Sequence, residues 1–408
     1  MAELCKPRLR EKIVKEIADS GPITFARFME LVLYDEEDGY YTTQGRRLEN
    51  GIHSGIGWDG DYYTIPHFTP VLAHALVRQF QEVDCWLGRP RGFTVLEIGA
   101  GEGLLARDIL AACAARDPDL MSRLSYVLID RSPSMRERQA QHLSVWNQRG
   151  ARVLGLSSLA NCAPDSVTGV VFSNELVDAL PIHRVRMENG ILREIYVDWD
   201  GERLVEVLGE PSTPAIDEYV QAYGVELPEG MTTEIHVEAI RWMEHVACVL
   251  REGLVLTIDY GHTARDYYSP LHREGTLLCY HRHHVSTNPY ERVGFQDITA
   301  HVNFSGLAQA GERVGLKVTG FTNLMYFVMS LGVEDLMAGL DPASEAVRAL
   351  GHLLRPHGMG QTFKMLVQHK GGVYSDPPVL SGLRYRPFFA DALYSCAEIT
   401  KDTCRHGQ

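Results

Sequence analysis

None of the eight cysteines of this 408-residue chain belongs to a C-x-x-C pair; Cys5, Cys85, Cys113, Cys162, Cys248, Cys279, Cys396 and Cys404 are scattered along it. In a chain of this size that pattern predicts reduced thiols in a cytosol-like compartment rather than a disulfide framework. No apolar run approaches the ~20 residues that a membrane-spanning helix needs. The opening MAELCKPRLREKIVKEIADSG has no apolar signal core, and its Glu3, Glu11, Glu16 and Asp19 are residues a transit peptide avoids. Positive charge is scarce: 39 Lys and Arg against 53 Asp and Glu leave a formal charge of −14, which argues against a nucleic-acid surface. The G-x-S-x-G elbow and the P-loop are absent, so hydrolase and NTPase chemistries have no residues to rest on. No internal repeat or low-complexity segment is visible. The 45% hydrophobic and 23% charged content is that of a soluble globular protein, and the length calls for one large domain with insertions or for two domains.

The most informative stretch that is present is TVLEIGAGEGLLARDIL, Thr94 to Leu110. It reads as a buried strand, a loop with Gly99, Gly101 and Gly103, and an amphipathic helix. Glycines let the backbone turn sharply and approach a ligand, and the start of the helix offers free N–H groups. A dinucleotide fingerprint would place glycine at the first, third and sixth loop positions. Here the sixth is Leu104, and Glu97 stands two places ahead of the loop. This E-x-G-x-G-x-G form resembles the first motif of S-adenosylmethionine (SAM) methyltransferases, whose ligand has no pyrophosphate to cradle.

Residues 8–34 read as two helices broken at Gly21-Pro22, with Thr24 a candidate cap. Residues 34–64 are irregular, and a helix follows at about 70–87. From Phe93 strands and helices alternate, with strand candidates at 93–98, 125–130, 151–156, 167–173, 253–259, 315–321 and 361–368 and helices near 233–250 and 305–314. The predicted class is therefore α/β, with a seven-stranded, mostly parallel sheet covered on both faces. Two insertions interrupt it: a β-hairpin or three-stranded meander over 183–209, and a poorly periodic stretch over 261–295 rich in His, Arg and Tyr.

Ligands in such sheets bind beyond the carboxyl ends of the strands. SYVLID ends at Asp130, 27 residues after Gly103 against the usual ~20, and a carboxylate there can accept both hydroxyls of a ribose. The fourth strand ends in Ser173-Asn174-Glu175-Leu176-Val177-Asp178, where Asn174, Glu175 and Asp178 are three polar groups that packing explains poorly. On a helical turn Glu175 and Asp178 would share a face. Paired carboxylates suit a guanidinium or amine, because they accept forked hydrogen bonds and orient a nitrogen lone pair. Asp259-Tyr260-Gly261 closes another strand on the same edge. The run Tyr280-His281-Arg282-His283-His284 invites a metal reading, but adjacent loop histidines point in different directions, and no metal is expected. The N-P-P-Y type motif of base-amino methyltransferases is absent.

These residues resemble the MidA family of SAM-dependent methyltransferases. The matching blocks are GPITFARFMELVLYDEEDGYYT (21–42), GDYYTIPHFTP (60–70), LEIGAGEG (96–103), LIDRSPSMRERQ (128–139), SNELVDALPIHRV (173–185), LTIDYGH (256–262), REGTLLCYHRHHV (273–285), QDITAHVNFS (296–305) and MGQTFKML (359–366). The resemblance implies a Rossmann-like core with an added helical lobe and an inserted hairpin, and SAM as cofactor. It implies protein arginine methylation, since the mitochondrial member symmetrically dimethylates a core subunit of respiratory complex I; a subunit of that type is the partner it suggests. By match, Glu97, Gly99, Gly101, Gly103, Asp130 and Arg131 bind cofactor, with Asp61, Thr64 and Pro66 closing over it. Asn174, Glu175 and Asp178 line the transfer site, with Tyr260 and His301 on the acceptor side. The usual GDFYTSPEVSP is altered here by Ile65, His67 and Thr69.

The expected organisation is an N-terminal lobe and lid over 1–90, a core over 91–370 with insertions at 183–230 and 261–300, and a tail over 371–408 outside the match. The match begins about twenty residues from Met1, which leaves no room for a long presequence and predicts a bacterial cytosolic member. Two other functions compete: a SAM-binding assembly chaperone that holds a respiratory subunit without turnover, and a small-molecule methyltransferase whose insertions wall a closed pocket. Oligomeric state is left open by the sequence.

Overall fold

Strands that read as buried on both faces must be covered on both faces, and the protein meets that demand with one mixed sheet between helical layers. The computed structural model describes residues 5–43, 69–222, 225, 227–333, 345–355, 358–372, 378–385 and 390–394. Its main sheet comprises β1 (Phe93–Ile98), β2 (Leu124–Ile129), β3 (Arg152–Leu156), β4 (Val167–Asn174), β5 (Leu250–His262), β6 (Lys317–Asn323) and β7 (Phe363–Lys370). Their order is β3-β2-β1-β4-β5-β7-β6. The first five are parallel, and β7 runs antiparallel to both its neighbours. Strand order reverses between β1 and β4, so the crevice at the carboxyl ends of those two strands is where a ligand belongs.

Burial follows position in the sheet. The central β4, VTGVVFSN, is buried along nearly its whole length, whereas the edge strand β3 leaves Leu154 more than half exposed. One face is covered by the helices Val71–Trp86, Leu104–Arg116 and Pro133–Gln148, the other by Val237–Val249 and Phe304–Arg313. No helix among the described residues is long and apolar enough to cross a membrane.

A second, antiparallel sheet is assembled from distant parts of the chain. The meander His183–Glu188, Ile191–Trp199 and Leu204–Gly209 turns through Asn189-Gly190, both at positive φ, as a tight hairpin requires. Ile23–Thr24 pairs with its middle strand, and Thr232–Ile235 adds to the other side. That last strand occupies the place where the sequence suggested the start of a helix, which instead begins at Val237. Three β-branched residues in TTEI favour extension, and a free strand edge was there to pair with. The helices Pro7–Ser20 and Phe25–Tyr34 flank this sheet, and Thr24 caps the second by accepting from the N–H of Arg27 at 3.1 Å. Their apolar faces share one core with Ile182, Val197, Leu204, Leu277, Val293 and Ile298. The stretch 261–295, aperiodic in sequence, contributes Leu278–His281 and His284–Ser286 to a small sheet with Asp297–Thr299.

The centre of the main sheet is narrowed at one point. Gly253 on β5 lies opposite Gly169 on β4, and a Cβ on Gly253 would stand 1.9 Å from the Gly169 carbonyl oxygen. Gly253→Ala is therefore expected to cost about 1–3 kcal/mol by overpacking. Gly155→Ala on the open edge strand, where an added Cβ meets nothing within 4 Å, should leave the urea midpoint unchanged.

Candidate active site

The loop after β1 turns through three left-handed glycines, Gly99 at φ 74°, Gly101 at φ 52° and Gly103 at φ 79°. A Cβ on Gly99 would strike Leu176, whereas one on Gly101 would enter open space. That open flank suits close approach of a ligand to the backbone. Asp130, just past β2, reaches across to this loop. Its Oδ2 accepts from the N–H of Gly101 at 3.1 Å and its Oδ1 from the N–H of Ser132 at 2.9 Å. Burial pushes its pKa up to about 6 against the pull of those two donors and of Arg136. A carboxylate has about four acceptor sites, so two remain for ribose hydroxyls. Gln139 locks the loop from the far side, its Nε2 donating to the Gly101 carbonyl at 2.7 Å.

Glu97 lies below the loop, 3% exposed, and accepts from the Tyr126 hydroxyl at 2.6 Å. Burial drives its carboxyl up to about 8 despite that donor. The Arg131 guanidinium turns instead toward the N-terminal helices, donating to Glu30 at 2.7 Å and lying 4.7 Å from the centre of the Tyr34 ring. It ties the end of β2 to the second lobe. Asp61, Thr64 and Pro66 lie outside the described residues. Glycine loop, strand-end carboxylate and the open flank at Gly101 together fit the nucleoside half of SAM.

The end of β4 departs from the expected helical turn. Glu175 adopts a left-handed conformation at φ 54°, and a 3-10 turn follows at Val177–Ala179. Asp259 on β5 holds this shape: its Oδ2 accepts from the N–H groups of Leu176, Val177 and Asp178 at 3.2, 2.9 and 3.3 Å. Its Oδ1 accepts from the N–H of Tyr260 at 2.9 Å, and the residue is fully buried. Glu175 and Asp178 are thus presented by two consecutive turns rather than by one helix face.

Acidic groups dominate this chamber. Glu175, half-buried, accepts from Asn174 Nδ2 at 3.0 Å, and burial followed by the charge of Asp178 raises its carboxyl to about 8. Asp178 is 6% exposed, and its Oδ1 has no hydrogen-bond partner among the described residues. Burial, then the charges of Asp259 and Asp297, hold it well above the usual carboxylate range. Tyr260 donates to Thr299 Oγ1 at 2.6 Å, and its ring meets that of His301 edge-on at 5.3 Å. His301 in turn lies 2.9 Å from His262 through ring nitrogens.

The second lobe roofs the chamber. Tyr34 donates to the Ala179 carbonyl at 2.7 Å, and Tyr41 donates to Asp297 at 2.8 Å. Tyr34, Tyr41 and Asp297 were not singled out in the sequence. The only signal was their place inside the blocks 21–42 and 296–305, because their partners are more than a hundred residues away.

Two separable stations result: a nucleoside cradle on β1 and β2, and an acidic chamber on β4 and β5. Gly101→Ala tests the first. Left-handed strain should cost only about 1 kcal/mol of stability, while calorimetric SAM affinity falls at least tenfold, because the new methyl fills the ligand's space.

The comparisons with known proteins concern the family and the cofactor. A family model described as S-adenosyl-L-methionine-dependent methyltransferase matches residues 71–322. The chain is 24% identical to the Drosophila melanogaster protein arginine methyltransferase NDUFAF7 homolog, mitochondrial, over 89% of this chain and 85% of that one. It is 27% identical to the Rattus norvegicus protein arginine methyltransferase NDUFAF7, mitochondrial, over 88% and 83%. A COG1565 superfamily member from Burkholderia thailandensis, solved with S-adenosyl-homocysteine bound, superposes with a TM-score of 0.79 at 31% identity, covering 93% of this chain and 95% of that one. The chain belongs to the MidA-like family of SAM-dependent methyltransferases.

Proposed function

We propose that the protein methylates an arginine side chain of a protein substrate, with the chamber formed by Asn174, Glu175, Asp178 and Tyr260 receiving the guanidinium. The observation that carries this reading is the unpartnered Oδ1 of buried Asp178 beside Glu175, where the neighbouring charges acting on both are carboxylates. A buried acidic cluster is costly by itself and becomes favourable when a cation enters it. A guanidinium brings a delocalised charge and forked donors that two carboxylates can meet bidentately. The family resemblance to protein arginine methyltransferases at about a quarter identity supports the same acceptor.

Bound in its cradle, SAM supplies an electrophilic methyl group. The protein's residues do the rest. A guanidinium with a pKa above ~12 is a poor nucleophile. Glu175 and Asp178 hold its charge and turn one nitrogen toward the cradle, which makes the reaction one of positioning. Asn174 fixes the Glu175 carboxylate, and the Tyr260 hydroxyl borders Asp178. A carboxyl raised to about 8 is also basic enough to take the proton that the methylated nitrogen sheds. We further propose that the acceptor is a respiratory-complex subunit, the client suggested by the family.

Only ionised Glu175 can receive the cation. In the free enzyme kcat/KM should therefore climb as pH rises toward about 8 and level off above it. Glu175→Gln should remove that inflection and lower turnover on the order of 100-fold or more, with calorimetric SAM affinity near wild type. Equal loss of SAM binding and turnover would overturn the assignment. The acceptor is tested by transfer of radiolabelled methyl from SAM into lysate of cells lacking the protein, with wild type beside Glu175→Gln. A labelled protein band that appears only with wild type and yields methylarginine on hydrolysis is expected. Label confined to small molecules would reject a protein substrate.

A further inference from the structure

Three histidines separated by 10 and 29 residues in sequence converge beside the acceptor chamber. His262 ends β5, His272 ends the short turn Pro270–His272, and His301 precedes the strand Val302–Asn303. One ring nitrogen from each lies within 4.8 Å of the other two, and all three side chains are half-buried. We propose that His262, His272 and His301 form a binding site for one divalent transition-metal ion of the zinc type.

The donor geometry carries the proposal. His272 Nδ1 lies 2.9 Å from the carbonyl oxygen of Asp266. A carbonyl oxygen only accepts, so Nδ1 carries the proton and Nε2 keeps its lone pair. An imidazole whose second nitrogen is anchored to a backbone carbonyl is the arrangement that orients histidine ligands in metal sites. His262 Nε2 and His301 Nδ1 approach to 2.9 Å, and their rings tilt at 39° with centroids 5.0 Å apart. The His262 and His272 rings are closer still, at 4.6 Å. Tetrahedral zinc with bonds of ~2.0–2.1 Å separates its nitrogens by about 3.4 Å. The tight pair would open by about half an ångström and the widest would close by up to about 1.4 Å, adjustments that ring rotation and small shifts of the 264–272 segment would supply. Lys364, the cation whose charge reaches both His262 and His301, is held by the carbonyls of Gln361 and Thr362.

Among the described residues no cysteine or carboxylate joins the three rings. Three imidazoles leave the fourth position to water. The ion would cross-brace the end of β5, the 264–272 segment and the segment leading to Val302. His301 packs on Tyr260, so this brace fixes the acceptor-side wall of the chamber without entering it.

The test uses the full-length protein, stripped with a chelator and titrated with Zn2+ by calorimetry and with Co2+ by visible absorption. Wild type is expected to bind one equivalent of each, with the intense d–d bands of tetrahedral cobalt and a raised melting temperature. His272→Ala should weaken binding at least tenfold. His272→Cys should retain it and add a thiolate-to-cobalt charge-transfer band, a signature that no folding defect produces. A His283→Ala/His284→Ala double variant should bind as wild type does, since those exposed residues lie outside the cluster. Absence of saturable binding in wild type would overturn the proposal. So would a His272→Ala protein that binds equally well, or loss of binding in the double variant.

Discussion

A single buried carboxylate, Asp259, holds the ends of β4 and β5 in the relation the active site depends on. It gathers three successive backbone N–H groups from the turn after β4 and a fourth from its own successor. Burial raises its carboxyl to about 7 against the pull of those donors, and the bonds together keep Glu175 in a left-handed conformation that a side chain rarely adopts. With the turn held, Asp178 is buried next to Asp259 and Glu175 faces the chamber. The raised carboxyls follow from burial first and from that crowding second. The protein maintains a buried cluster of acidic groups whose ionisation is opposed by burial and by one another.

The two stations are served by different parts of the chain. The cofactor cradle is almost entirely a product of β1, β2 and the loop between them. The acceptor chamber draws on β4, β5, the 297–301 segment and the N-terminal helices, whose tyrosines reach Ala179 and Asp297. Arg131 links the two, since it follows the strand-end carboxylate Asp130 and its guanidinium is held by Glu30 and Tyr34 of the second lobe. The N-terminal helices and the inserted strands share a single apolar core, so the lobe that roofs the chamber is one packed unit although three separate stretches encode it.

Much of this was legible in the residues. Glycine spacing, the acid before the loop and the strand-end Asp130 are local features, and local features survive in a linear reading. The alternation from Phe93 onward announced the parallel sheet, although β5 proved longer than its apolar run. Its extension to His262 is supported by pairing with Val302–Asn303, a partner forty residues away. The same limit explains why Glu175 and Asp178 were placed on one helical face: spacing alone cannot reveal that Asp259 imposes a left-handed residue between strand and turn. It also explains why the His281–His284 run drew the eye while the convergence of His262 and His272 on His301 did not.

By itself, then, the sequence determined the α/β class, the glycine loop after the first sheet strand and the acidic residues at the strand ends, because each rests on patterns a few residues long. Only the tertiary structure decided how deeply those acids are buried, which oxygen is left without a donor, and which histidines meet. Desolvation and charge proximity act through space, and many of the groups that supply them here are distant along the chain, up to 256 residues for Tyr41 and Asp297.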